Sequence, residues 1–247
     1  VVVLDDDMTV ESGWWHGIAA ISRRHPQADF FTGRGHVIWP SMELPAWASD
    51  PSLQGWLFSV RAGSATDRPL SPGQWFSGNF FWFRSRVVQA GHLFSDIWLT
   101  EPQFMLDLTE SGLHGVQGPD AVVGHRIQSR LLEPEFALQR AALSGKHFAR
   151  ARLVPFRSSV PNAQRAARHP ILARAYCAAN LAYWSCRSWH LREVSGDSPR
   201  FAARLHAVQK AAASREAIEI LRADVPYRRL RDHLHHSPAA AVPRKIQ

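Results

Sequence analysis

Three adjacent carboxylates, Asp5-Asp6-Asp7, follow directly on four apolar residues, Val1-Val2-Val3-Leu4. The apolar run reads as a buried strand, so the acids stand where the chain leaves a sheet. In open α/β folds, ligands bind just beyond the carboxyl ends of strands. Three neighbouring negative charges repel one another and call for a compensating positive group. A divalent cation fits, because hard cations take carboxylate oxygens and bridge to substrate phosphates. The eight residues Val1–Met8 alone leave two readings open, a metal and phosphate site or a solvated acidic turn.

The elements that must position these acids follow in order. Trp14, Trp15, Ile18, Ala19 and Ile21 recur at helical spacing, after capping groups between Thr9 and Ser12, and Pro26 should stop that helix near His25. Ala28–Gly33 reads as a strand and Gly35–Pro40 as a second short extended piece. Residues 40–75 are rich in Pro, Ser, Gly and Trp with weak periodicity, as binding loops and lids often are, with a short helix expected around Asp50–Arg61. Ser77–Arg84 is a small-residue turn opening into an aromatic strand, and Arg86–Ala90 a short helix. Thr100-Glu101-Pro102-Gln103 has the form of a helix start, with Thr100 capping, Pro102 tolerated in the first turn and Gly112 ending the helix. Val116-Gln117 and Ala121–Ile127 read as strand material split by a Gly118-Pro119-Asp120 turn. A helix from Pro134 to Ser144, closed by Gly145, comes next.

From about residue 151 the texture changes. Pro155, Pro161 and Pro170 punctuate a basic linker, and Pro170–Val194 and Pro199–Arg222 read as two long helices. Leu172, Tyr176, Ala179, Tyr183 and Cys186 share a stripe on the first. Arg174 and Arg187 bracket too short an uncharged run for a membrane span, which needs roughly 20 apolar residues. The helix is expected either to pack on the preceding domain or to lie at a membrane surface with Trp184, Trp189 and its arginines at the interface. The last stretch, Tyr227–Gln247, is basic and Pro/Ala-rich, with the composition of a disordered tail. His233, His235 and His236 there are not expected to act as a metal site.

The 247 residues, 45% of them hydrophobic, suffice for a packed core and one or two domains. Residues 1–150 carry a net charge of −3 and residues 151–247 a net charge of +11. That asymmetry predicts an anionic partner for the basic half, or a solvated helical face. A nucleic-acid role is disfavoured, because no groove-reading or base-stacking motif accompanies the charge. Cys177 and Cys186 have no metal-type spacing, give no disulfide framework and fit a reducing compartment. Val1 already lies inside a strand pattern, which predicts further chain upstream.

The succession of signals over residues 1–146 resembles the later half of family 2 glycosyltransferases. The landmarks are Leu4-Asp5-Asp6-Asp7, a Gly13-Trp14 helix and a strand leading to Gly33-Arg34-Gly35. After them come Gly78-Asn79-Phe80 with Phe83-Arg84, Ala90–Phe94, Glu110-Ser111-Gly112 and Pro119–Arg126. The resemblance implies an α/β fold, a partial GT-A (Rossmann-like) mixed sheet flanked by helices and followed by a helical C-terminal region. Three segments are expected: the GT-A portion over 1–150, a basic amphipathic helical region over 151–226, and the tail over 227–247. The implied activity is metal-dependent, inverting, hexosyltransferase-like transfer of a sugar from a nucleotide-sugar donor to the hydroxyl of a glycan, lipid-linked or other acceptor. The implied setting is cytoplasmic, peripheral on the inner face of a membrane.

Residue by residue, the resemblance makes Asp7 a ligand of Mn²⁺ or Mg²⁺, with Asp5 reaching the metal through water or contacting the donor ribose. His125 would complete the metal shell or lie beside the diphosphate, and an imidazole among carboxylates suits Mn²⁺ better than Mg²⁺. Arg126 and Arg130 would add positive charge against the diphosphate leaving group. Gly78 and Asn79 would form the loop beneath donor sugar and acceptor. Trp39, Trp75 and Trp82 could stack on sugar faces, although aromatics in such number more often belong to the core.

The general base departs from the family pattern. The usual Glu-Asp pair falls on Thr100-Glu101, so Glu101 stands in for the Asp, its charge favoured by the helix N-terminus. Asp96 is a weaker alternative. That departure keeps open a second reading, a non-catalytic relative serving as a binding or scaffold module. The family's nucleotide-binding half would lie upstream of Val1, and the sequence as given is expected to show little or no transferase activity.

Overall fold

The computed structural model describes residues 1–60, 63–70, 81–89, 108, 111–153 and 169–222. Its centre is a six-stranded mixed sheet. The strands are β1 (Val2–Val3), β2 (Met8–Val10), β3 (Phe30–Ile38), β4 (Arg68–Pro69), β5 (Phe81–Phe83) and β6 (Gly115–Arg126). They run in the order β1-β5-β3-β6-β2, with β4 also on β6. Only β3 and β6 are parallel; the other pairs are antiparallel. Of the buried strand expected over residues 1–4, only Val2–Val3 is strand, half-buried, with Val1 exposed, because β1 forms one end of the strand order. The class is mixed α/β, as expected.

β3 and β6 are each one long strand where the sequence suggests two pieces. The ladder between them shifts register, from Thr32 opposite Gln117 to Arg34 opposite Val122. The Gly118-Pro119-Asp120 segment is therefore a bulge inside a continuous strand rather than a turn. Pro119 has no N–H for the ladder, so pairing must lapse there. Arg34 spans the gap by donating from Nε to the Pro119 carbonyl at 2.8 Å. Gln117 donates to the Gly33 carbonyl at 3.0 Å.

Helix α1 (Trp14–Arg24) follows β2, with Gly13 at φ 82° as its left-handed entry and no side-chain cap. It stops at Arg24, as Pro26 predicts. Ile18 and Ile21 reach a core under β6 with Met8, Phe31, Trp82, Val116 and Val123. Arg84 closes the helix end by donating to the Ser22 carbonyl at 2.8 Å and the Ala28 carbonyl at 2.7 Å. Trp82 is buried, stacked on Phe31 and bonded through Nε1 to Ser22. It belongs to this core and not to a sugar-facing surface.

The expected helix around Asp50–Arg61 contracts to one turn, α2 (Pro51–Gln54). Segment 40–60 is held by aromatic anchors instead of periodicity. Trp47, Phe58, Leu53 and Leu57 form a second core together with Ile127, Leu132 and Phe201. A short helix, α3 (Ser85–Gln89), matches the expectation for 86–90. Helix α4 runs from Pro134 to Leu153, well past the expected stop at Gly145. Gly145 serves a helix crossing: a Cβ there would overlap the Gln209 carbonyl oxygen of helix α6 (Phe201–Arg222). Helix α5 (Pro170–His190) packs beside α6. Because Phe201 and Leu205 sit in one core with Trp47 and Phe58, the helical region and the segment before residue 150 share a hydrophobic interior.

Candidate functional site

The acidic residues turn immediately after β1. Met8 donates its N–H to the Asp5 carbonyl at 3.1 Å, closing a tight turn over Asp5–Met8. Met8 is buried and anchors β2, which pairs Met8 with His125 and Thr9 with Gly124. The ladder extends one step further, as the Arg126 N–H donates to the Asp7 carbonyl at 2.9 Å. The Arg126 guanidinium donates to the Asp6 carbonyl at 3.0 Å. Arg126 therefore fastens the acidic turn to the end of β6 and sets positive charge beside three carboxylates.

This register brings Asp7 and His125 together across 118 positions of sequence, with Asp7 Oδ2 3.1 Å from His125 Nε2. The imidazole is buried and the carboxylate half-buried. On its other side, His125 Nδ1 lies 2.7 Å from the Phe58 carbonyl oxygen. A carbonyl only accepts, so the Nδ1 position carries a proton. Nε2 then has either a second proton or a lone pair facing a carboxylate oxygen. Two acceptors facing each other at this distance repel unless a proton or a metal cation lies between them. The other oxygen, Asp7 Oδ1, is buried and meets no hydrogen-bond donor among the described residues. A buried carboxylate oxygen left unpaired is costly and asks for a partner.

The backbone beside this pair is unusual. Ser59 has φ 53°, the one non-glycine residue in the left-handed region among those described. That torsion belongs to the peptide whose carbonyl receives His125 Nδ1. Trp39 packs edge-on against Phe58 at 5.1 Å and is half-buried, so it supports this wall.

The remaining expected site residues separate into groups. Asp5 is half-buried in the turn beside Asp7. Arg130 follows β6 in a short 3-10 turn, exposed, with its guanidinium 4.5 Å from the centre of the Phe136 ring. Its charge is directed onto an aromatic face, and no contact joins it to Asp7 among those described. Glu101, Gly78 and Asn79 lie outside the described residues, as do Asp96 and Trp75. Among the described residues, no three or more His, Cys, Asp and Glu side chains gather into a group able to hold a metal ion. Among the described residues the donor set here is one carboxylate and one imidazole.

Two further constellations carry no local sequence signal. Asp67 is gripped by Arg24, Nε at 2.7 Å and Nη2 at 2.9 Å, and by His25 Nε2 at 2.8 Å; Arg24 also reaches Asp120 at 2.7 Å. The Arg24 hydrogen bonds, then that of His25, hold the Asp67 carboxyl below the usual carboxylate range, against a partial offset from burial. Nearby, a cavity of about 660 Å³ is lined by Arg24, His25, Leu70, His114 and Val116 among others. It opens at the start of β6, the opposite end from His125. Arg24 and His25 in its lining are already engaged by Asp67, so the Asp7–His125 pair remains the stronger candidate.

The second constellation is Ser52, 2.5 Å from Asp50 Oδ1 and 2.8 Å from His206 Nε2. Hydrogen bonding from Ser52 lowers the Asp50 carboxyl from its ordinary value, while burial lowers His206. Ser52 has one proton and spends it on Asp50, so His206 donates to the hydroxyl and cannot act as its base. This is a helix cap and not a nucleophilic dyad. No protein-family model matches the chain, and no curated protein matches it.

Proposed function

We propose that the Asp5–Asp7 turn and His125 form the metal and diphosphate end of a glycosyl-transfer centre using a nucleotide-sugar donor. The observation that carries this reading is the Asp7–His125 pair itself. Its tautomer is set from behind by the Phe58 carbonyl, its Nε2 faces a carboxylate, and Asp7 Oδ1 has no partner among the described residues. Metal-bound imidazoles commonly have the far nitrogen held in this way, which orients the ring and fixes the ligating atom. One carboxylate and one imidazole fit Mn²⁺ or Mg²⁺, which usually keep water and substrate phosphate oxygens in their remaining positions. Such an ion acts as a Lewis acid on the leaving diphosphate.

The chain's own residues then have distinct tasks. Asp7 and His125 offer an oxygen and a nitrogen to one point, and Asp5 stands beside them toward the donor. Arg126 holds the turn in register, and its fixed charge favours an anion approaching the acids. Glu101 remains the proposed base that takes the proton from the acceptor hydroxyl, with Gly78 and Asn79 beneath the donor sugar; Arg130 would have to leave the Phe136 ring to add further positive charge.

The test is hydrolysis and transfer of nucleotide sugars with Mn²⁺ by the full-length protein. Turnover lost by at least about 100-fold in Asp7→Ala supports the reading. No metal binding and no nucleotide binding overturns it. Metal and nucleotide binding with no transfer to any hydroxyl acceptor would instead favour the binding-module alternative.

A further inference from the structure

Helix α5 carries apolar residues on its outer face as well as its inner one. A helix packed on a globular body ordinarily turns its apolar face inward and its polar face to water. Here the less exposed side is mixed, with Arg174, Asn180, Ser185 and Ser188 beside Ala173, Cys177, Leu181 and Trp184, and Arg174 Nε donates to the Leu221 carbonyl of α6 at 2.8 Å. The opposite side carries Ile171, Leu172 and Tyr176, exposed by 78%, 68% and 70%, and continues through Tyr183, Cys186 and Trp189. Leu172, Tyr176, Ala179, Tyr183 and Cys186 form the apolar stripe read from the sequence. It points away from the protein. A continuous apolar face of this kind marks a surface that something covers.

Charge decides what covers it. From Phe136 to Arg192 the sequence contains no Asp or Glu and ten Lys and Arg, and the first acid after it, the exposed Glu193, lies 3.5 Å from Arg192. Arg187 lies over the Trp184 ring at 5.8 Å and Arg192 over the Trp189 ring at 4.6 Å, so cations sit against the aromatics near the C-terminal end of the stripe. A second copy of the chain packed in parallel would bring the same cations against one another, and an antiparallel one would leave them facing Ile171 and Leu172 without an anion. A nucleic acid would gain little from Ile171, Leu172 and a row of alanines. An anionic lipid surface satisfies both halves, its headgroups taking the arginines and its acyl boundary taking the stripe, with Tyr and Trp at the depth they favour. No described helix is long and apolar enough to cross a membrane. We propose that the outer face of α5 lies flat in the interface of an anionic bilayer, independently of how the Asp7–His125 site is read.

The test is flotation of the full chain with vesicles of phosphatidylcholine alone or containing phosphatidylglycerol. Binding should require the anionic lipid and weaken with salt. Leu172→Ser/Tyr176→Ser/Tyr183→Ser alters only exposed or near-exposed side chains, and circular dichroism verifies that it folds. This variant and Arg187→Glu/Arg192→Glu should each bind at least about tenfold more weakly. An environment-sensitive dye on Cys186, in a Cys177→Ser background, should shift to the blue on anionic vesicles. Equal binding to phosphatidylcholine alone, undiminished binding by the triple variant, or an unmoved dye would overturn the proposal. So would lipid-free dimers that the triple variant dissociates, or an RNA oligonucleotide that binds the wild type and not the triple variant.

Discussion

Two histidine–aspartate pairs stand at opposite ends of β6, and they differ in what remains unspent. At its beginning, Asp67 receives a two-pronged Arg24 and His25, and Arg24 turns a further bond to Asp120. At its end, Asp7 faces His125 through one oxygen and, among the described residues, no donor through the other. The residue types are the same. Only the second pair has coordination left over, held rigid by a core strand on one side and a backbone carbonyl on the other. The lesson is that an acid–imidazole contact becomes a candidate site through its deficit of partners.

The sharpest way to break this comparison is cation binding. Mn²⁺ at about 100 times its dissociation constant should stabilise the wild type by about 2.7 kcal/mol. That gain, measured by thermal unfolding, should vanish in Asp7→Ala and persist in Asp67→Ala. Persistence in both would make the two ends equivalent and sink the distinction.

The next effect belongs to the saturated end. Asp67→Asn should cost about 1–2 kcal/mol, discounted because Arg24 is 43% exposed. Since the folded carboxyl titrates below its unfolded value, its contribution is present above roughly pH 4 and is lost as pH falls through the folded value. Denaturant unfolding of wild type and variant should therefore converge in acid. A constant gap down to pH 2 would contradict the assignment.

The smallest effect tests the backbone behind His125. Ser59→Gly should be neutral to slightly stabilising, whereas Ser59→Val, at φ 53°, should cost about 1–2 kcal/mol. If Ser59→Val leaves both stability and Mn²⁺ affinity unchanged, the left-handed turn is not what orients the Phe58 carbonyl.

The sequence made some of this legible and hid the rest for physical reasons. Helical periodicity and Pro26 located α1, and the prolines bounded α5 and α6 closely. The acid turn after a strand was visible because apolar and charged residues change abruptly at Leu4-Asp5. Glycine misled twice. Gly145 and the Gly33/Gly118 region read as breaks, yet one admits a neighbouring helix and the others sit at a bulge, and both depend on partners far along the chain. His125 was assignable only through resemblance, and its partner Phe58 acts through a carbonyl that every residue has. Nor could the stripe on α5 reveal which way it faces, because periodicity gives an arc and not its direction.

One feature of the interior bears on how the chain acquires its shape. Phe201 fills the core that Trp47 and Phe58 begin, and the parallel β3–β6 ladder joins residues about 85 positions apart. On the ribosome, the aromatic segment 40–60 is made long before its lid. That half-core must wait with its indole and phenyl rings open to water until α6 has been synthesised. Such a chain is slow to close and open to wrong partners in the interval. Its vulnerability to aggregation is therefore greatest during synthesis, and shortening it before residue 205 should leave the early aromatics permanently without their lid.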